Sequence, residues 1–422
     1  MVDKTKFTVI VPTRERADTL YHCLQTLVRQ RYENFEILVS DNFSRDNTEQ
    51  VVRSICDSRI KYINTGRRVG MSRNYEFALS HVKDGWITYL GDDDGLVPHA
   101  LALANNVIRE TGCKALSSKW HHYFWPNFDG AFPPNFLSIR IGRGYRVRNA
   151  KAALRQSLKG RLHYLELPKV YIGGFAEYET LNRLRDESGY FFVSRTPDVY
   201  AAVALSLGLD RYVYLHEPLS ICGASAHSIG ASHFKASTNS SASAKYYAEE
   251  EIPFHPSLGD GRVRSLQLLL YEAFLQASHL HHNYAFTSTS EQLALSVAQS
   301  GNDPSVTEYC REIAKCQGID FRLVKESARR IYLWHTVRAI WREPPTETLP
   351  WFQVDGGLLG LMNILDATIA ANSLYFQMTS NKIWKVREVF KALSNRKAAL
   401  ARVILGLLRR LKRLFQSGPR MV

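Results

Sequence analysis

A chain of 422 residues is long enough for two domains, or for one domain with a large appendage, and for a full core. With 45% hydrophobic and 22% charged residues it is not a wholly disordered chain, and it contains no uncharged apolar run of the roughly eighteen residues that a conventional membrane span needs. Lysine and arginine outnumber aspartate and glutamate by 54 to 40, a net charge of +14 that points to nucleic acid, an anionic membrane surface or anionic substrates.

The first apolar stretch stops at Pro12, too short for a signal-peptide core, so a cytoplasmic location is expected. Cys23, Cys56, Cys113, Cys222, Cys310 and Cys316 are scattered and form no Cys-x-x-Cys pair, which suits a reduced compartment better than a disulfide framework. Phe7–Val11 reads as a buried strand, and Asp18-Thr19 opens a helix with Leu20, Cys23, Leu24 and Leu27 on one stripe. Strands at 35–40, 60–63 and 86–90 then alternate with helices at 46–55, 72–80 and 98–111. That alternation predicts an α/β fold with a mostly parallel sheet, whose binding site belongs at the carboxyl ends of the strands.

Periodicity fades from Lys119 to Ile172, where aromatics and prolines give way to a basic stretch from Arg140 to Arg155. Regular structure is expected to resume at Gly189–Ser194, followed by a helix starting near Pro197. Gly/Ser/Ala-rich sequence after Ile221 marks a boundary. The expected organisation is a domain at 1–235, a linker at 236–262 and a helical C-terminal region at 263–422 that could support oligomers. Its helical patterns lie at 263–279, 289–298, 306–315, 321–341 and from Lys382 onward.

Directly after the apolar strand at 86–90 stands Gly91-Asp92-Asp93-Asp94-Gly95. Three consecutive carboxylates at a strand end repel one another unless a cation joins them, and hard oxygen ligands suit Mg²⁺ or Mn²⁺ bridging phosphate oxygens. The bland alternative is a solvated acidic turn.

Four segments together resemble the successive signatures of family 2 glycosyltransferases: Val9-Ile10-Val11-Pro12-Thr13-Arg14-Glu15-Arg16, Ile37 to Thr48, Gly70-Met71-Ser72-Arg73-Asn74, and Tyr89-Leu90-Gly91-Asp92-Asp93-Asp94. The resemblance is strong over residues 5–110, weak over 111–230 and absent from the helical region. It implies a GT-A type fold, a nucleoside-diphosphate sugar donor (a UDP-sugar), a divalent metal, Mn²⁺ or Mg²⁺, and transfer with inversion at the anomeric carbon. It places Pro12, Thr13 and Glu15 around the nucleoside, Asp41 on the base, Arg73 near the diphosphate, Asp92 at the ribose, and Asp93 and Asp94 on the metal. The commonest family pattern has its first Asp where Gly91 stands here, so all three carboxylates are retained as candidates.

The resemblance also implies a general base shortly after a Gly-aromatic stretch. Asp198 occupies that position nine residues after Gly189, although Pro197 replaces the expected Glu and Val203 the expected Arg. A first-turn position would keep Asp198 ionised through the helix dipole, and Asp186 and Glu187 are the alternatives. His227 is the expected third metal ligand, with His233 as its substitute. His121-His122 and His279-x-His281-His282 lack partners at zinc-ligand spacing.

From Leu400 to Phe415 the apolar residues recur on one side of a helix and Arg402, Arg409, Arg410, Lys412 and Arg413 take most of the rest. Such a basic amphipathic helix suits an anionic membrane surface, and no nucleic-acid-binding fold accompanies the charge. The expected protein is therefore a glycosyltransferase, peripheral on the inner face of the cell membrane, acting on a glycan or lipid-linked acceptor. A sugar-phosphate nucleotidyltransferase would want a Gly-rich phosphate loop, which Pro12–Arg16 lacks. A non-catalytic nucleotide-sugar-binding scaffold would not need Asp93 and Asp198.

Overall fold

The computed structural model describes residues 4–130, 132–226, 249–262, 265–281, 286–301, 303–341 and 351–380. β1 (Phe7–Thr13), β2 (Phe35–Asp41), β3 (Ile60–Asn64) and β4 (Trp86–Tyr89) lie in the order β3-β2-β1-β4, all parallel. β1 and β2 are apolar without alternation because both sheet faces are covered. Val9 and Val11 pack with Leu20 and Leu24 of α1 (Ala17–Val28) and Leu101 of α4 (Ala100–Thr111), whereas Ile10 and Leu38 face Tyr75 and Leu79 of α3 (Met71–Ser80). The short α2 (Thr48–Ser54) joins β2 to β3.

The sheet continues as a mixed half. β9 (Gly174–Glu177) lies antiparallel between β4 and β6 (Ala115–Phe124), and β7 (Phe136–Arg140) and β11 (Trp351–Asp355) carry it outward. β10 (Arg211–Ala224) runs parallel to β6 and antiparallel to β5 (Gly95–Leu96) and β8 (Tyr145–Asn149). The expected parallel half is thus present, in an α/β fold to which the stretch where periodicity fades adds β7, β8 and part of β6.

α5 (Ala150–Leu158) and α6 (Tyr178–Arg183) precede α7 (Pro197–Gly208), in which every residue from Val199 to Leu207 is buried. A helix apolar on all sides belongs inside a fold. α7 packs between the sheet and α8 (Leu266–Gln276), so Leu268, Leu270 and Phe274 share one core with Tyr200, Val203 and Leu207. α9 (Thr289–Gln299), opened by a Ser288/Glu291 capping box, α10 (Pro304–Cys316), opened by Asp303, and α11 (Phe321–Trp341) complete this layer. The buried amides of Gln267 and Gln292 bond each other at 2.6 Å, and Gln292 donates to the Leu158 carbonyl at 2.7 Å, which ties α8 and α9 to α5. Residues 351–380 return to the sheet: β11 joins β7, and α12 (Ile364–Ser380) lays Ile364, Ala367 and Ala371 on Tyr123, Leu137 and Ile139. Lys382 onward and the amphipathic stretch 400–415 lie outside the described residues.

Gly189–Ser194 is not regular structure, contrary to expectation. The Phe191 and Phe192 amides donate instead to one carboxylate, Glu76 of α3, at 2.8 and 2.9 Å, and Glu76 also pairs with Arg185. A side chain therefore satisfies the backbone groups that a neighbouring strand would have taken.

Glu76→Ala removes a buried acceptor from two amides and a guanidinium at once. Loss of one partner of a buried pair costs about 3–5 kcal/mol, and denaturant unfolding should record a loss of that size, beyond what ordinary surface substitutions cause.

Candidate active site

The carboxyl ends of β1, β2 and β4 and the start of α3 bring the four signature segments together. Thr13 is in register with Asp41 across β1 and β2, and its hydroxyl donates to Asp92 at 2.8 Å. Asp41 accepts from the Tyr62 hydroxyl at 2.6 Å, from Asn64 at 3.1 Å and from the Ser44 amide at 3.0 Å. Burial and then Asp41 push the Tyr62 hydroxyl up to about 12, which keeps it protonated as a donor. Asn42 exchanges two hydrogen bonds with Val69, and Asn74 bonds Ser40, so the loop leading into α3 is fixed to β2. Glu15 sits in the left-handed region (φ 54), its amide donating to Ser44 and its carboxylate accepting from the Arg45 amide and pairing with Arg68. A non-glycine residue held there by surrounding bonds is a feature of functional sites.

The three carboxylates after β4 are all buried. Asp92 pairs with Arg16 at 2.9 Å. Asp93 accepts from Ser225 Oγ at 2.9 Å, and its carbonyl accepts from the Trp125 indole at 3.2 Å. Asp94 accepts from the Gly223 amide at 2.7 Å, the Gly91 amide at 3.0 Å and the Tyr171 hydroxyl at 3.1 Å. Burial raises the Asp92 carboxyl above the usual carboxylate range, and burial together with Asp93 pushes Asp94 up to about 7. Arg16 is held charged against its own burial by Asp92 and Asp93. Among the described residues no three His, Cys, Asp or Glu side chains converge as a metal cage. The donor set is that of hard oxygen ligands, and a cation that shares its coordination with substrate phosphates needs only one or two of them.

Asp198 stands in the first turn of α7 behind Pro197. Tyr164 donates to its Oδ2 at 2.9 Å, and the helix-start amides also favour its charged form. Burial outweighs these and leaves the carboxyl above the usual range. The loop ahead of it is gripped from two helices: Ser72 of α3 donates to the Ser194 carbonyl at 2.6 Å, and Ser194 donates to the buried Glu272 of α8 at 2.5 Å. Asp186 closes a surface turn by accepting from the Tyr190 amide, and Glu187 is exposed.

Arg73 stacks on Tyr190, its guanidinium carbon 4.4 Å from the ring centre, with a buried Nη1 that has no hydrogen-bond partner. Glu249, Glu250 and Glu251 lie across the cationic features of this edge. Glu249 pairs with Arg14, Glu251 with Arg67 at 2.9 Å, and the Glu250 carboxylate sits against Gly70 at the start of α3. His227 and His233 lie outside the described residues. Sequence reasoning missed Tyr164, Tyr171, Trp125, Gly223 and Ser225. The last two belong to the Gly223–Ser228 segment that drew notice only for its histidine.

Residues 8–164 match the family model of Glycosyl transferase family 2, which supports membership of that part of the chain in the family. It is 36% identical over 100 residues to GalNAc(5)-diNAcBac-PP-undecaprenol beta-1,3-glucosyltransferase of Campylobacter jejuni, covering 23% of this chain and 32% of the relative. It is 28% identical over 102 residues to UDP-Glc:alpha-D-GlcNAc-diphosphoundecaprenol beta-1,3-glucosyltransferase WfgD of Escherichia coli, covering 24% of this chain and 40% of that protein. The chain thus spans well under half the length of these relatives. S. aureus TarS 1-349 in complex with UDP-GlcNAc aligns with a TM-score of 0.45 at 15% identity, over 80% of this chain and 93% of that one.

A Cβ added at Gly223 would lie 1.8 Å from the Asp93 carbonyl oxygen. Gly223→Ala must therefore push the acidic turn away from β10. Far-UV circular dichroism should stay native while stabilisation of the chain by added nucleotide disappears in thermal unfolding.

Proposed function

We propose that this chain transfers a sugar, with inversion, from a UDP-sugar to a hydroxyl of a growing surface glycan or lipid-linked acceptor. The observation that carries the reading is the bonding of the four signature segments to one another at the carboxyl edge, from Thr13 to Asp92 and from Ser40 to Asn74. In an open α/β sheet that edge is where ligands bind. UDP-glucose is the donor to try first, because the two relatives are beta-1,3-glucosyltransferases named for undecaprenol-diphosphate-linked glycans.

In this reading Pro12, Thr13, Glu15 and Asp41 line the nucleoside, Asp92 meets the ribose and Arg73 approaches the diphosphate. A planar guanidinium suits that group, and the free Nη1 of Arg73 offers it a donor. Asp93 would hold Mn²⁺ or Mg²⁺ together with the donor phosphates, and Asp94, which already accepts three hydrogen bonds, is assigned to brace the turn although it too is a ligand candidate. When bound, the metal supplies positive charge to the departing diphosphate. Asp198 takes the proton of the acceptor hydroxyl as that oxygen bonds to the anomeric carbon. The bond from the carbon to the diphosphate oxygen breaks, and its electron pair leaves with UDP. Glu249 and Glu251 must leave Arg14 and Arg67 if those arginines are to meet the diphosphate. His227 is proposed as a further metal ligand.

The test is turnover of radiolabelled UDP-glucose with a lipid-linked glycan acceptor. Asp198→Asn keeps the shape and removes the base, so kcat should fall by about 10²–10⁴-fold with donor binding retained. Near-normal turnover would move the role to Asp186 or Glu187. Activity needs Asp198 ionised, so it fails as pH drops through a carboxyl raised above the ordinary range. Tyr164→Phe removes a hydrogen bond that favours the charged form, and the acid limb of the pH–rate profile should move to higher pH.

A further inference from the structure

We infer that the turn at 356–362 and the outer face of α12 dock on an anionic lipid bilayer. Leu358 is 85% exposed, Met362 66%, Ile369 52%, Leu359 44% and Phe376 42%. Met362 and Ile369 lie seven residues apart on one line along the helix and its entry, and Phe376, next on that line, packs its ring against His99 and Tyr375. Asp366 is the only charged residue from Gly356 to Ser380, and it is turned back on the helix entry, accepting from the Met362 amide and the Asn363 side chain. The opposite face of α12 is already buried on the sheet through Ile364, Ala367 and Ala371. The exposed Ser373 and Gln377 flank this line, and an exposed apolar line beside two exposed leucines marks an interaction surface.

The leucines are presented by a closed turn. The Gly356 amide donates to the Asn135 carbonyl at 2.7 Å, the Leu361 amide to the Gly356 carbonyl at 2.8 Å, and the Asn135 side chain to the Leu361 carbonyl at 2.9 Å. No described helix is long and apolar enough to cross a membrane.

Charge selects the occupant. Residues 381–422 begin where α12 ends and contain twelve Lys or Arg against one Glu, a net +11 of the chain's +14. An apolar patch continuous with so basic a segment gives the two signals that stable adsorption to anionic lipid takes. The patch is also close to the acidic turn. The Asn135 amide donates to the Trp125 carbonyl, and the Trp125 indole donates to the Asp93 carbonyl. Docking here would present the catalytic edge to an acceptor anchored in the same bilayer. That consequence rests on the glycosyltransferase reading, whereas the docking itself does not.

The experiment is co-sedimentation of the full chain with phosphatidylcholine vesicles, with and without phosphatidylglycerol, for the parent and for Leu358→Glu/Met362→Glu. The parent should sediment with the anionic vesicles, and the double variant should partition about ten-fold less well, at unchanged thermal stability and unchanged UDP binding. Raised salt should weaken the parent only in part, because screening leaves the apolar term. Equal sedimentation of variant and parent overturns the proposal. So does a large fall in the variant's stability without lipid, which assigns the patch to a cover from the chain's own residues. A parent dimer that the substitutions dissociate, measured by light scattering, overturns it in favour of a second copy. Lost vesicle binding in a chain that never turns over UDP-glucose would leave the docking standing and remove the glycosyltransferase reading alone.

Discussion

Three adjacent carboxylates held out of water at the end of β4 set the terms for everything around them. Burying one unpaired carboxylate is costly, and burying three in a row is tolerable only when hydrogen bonds and positive charge surround them. Arg16 and Thr13 answer for Asp92, Ser225 for Asp93, and two backbone amides with Tyr171 for Asp94. These partners come from β1, from the turn itself, from the stretch before β9 and from the end of β10, so the acidic turn organises strands distant in sequence. Burial still raises the Asp92 and Asp94 carboxyls above the ordinary range, Asp94 with a further push from Asp93.

The region around Asp198 is built by the same logic. Buried Glu76 and Glu272 take amides and a hydroxyl from the loop before α7, each from a different helix. The helical layer therefore helps to set where Asp198 stands. α8 shares its core with α7, so a change among Leu268, Leu270 and Phe274 reaches the site through packing.

Much of the parallel half was legible because its strands are buried on both faces and read as unbroken apolar runs at Phe7–Val11 and Phe35–Ser40. α7 was legible through Pro197, and α11 matches its expected bounds. The strands from β6 to β10 were not read, because aromatic, basic and glycine residues there answer to long-range pairing rather than to a local period. α12 was missed for another reason: exposed Ile369 and Phe376 stand among the polar residues of its outer side and blur the amphipathic stripe that marks a surface helix. Gly189–Ser194 looked regular because periodicity cannot reveal that a glutamate more than a hundred residues away takes its amides. At the site the motif residues were visible, while the partners that hold them, Tyr164, Tyr171 and Ser225, depend on the fold.

The central claim is that the carboxyl edge is a metal-assisted nucleoside-diphosphate site centred on Asp93. Titration calorimetry of UDP into the chain, with and without Mn²⁺, tests it most directly when the parent is compared with Asp93→Ala. The account predicts one-to-one binding by the parent that is markedly tighter with Mn²⁺, and loss of that metal-dependent gain in Asp93→Ala with the fold intact. Equal UDP affinity in both proteins with and without Mn²⁺, or no binding of UDP to the parent at all, would contradict it.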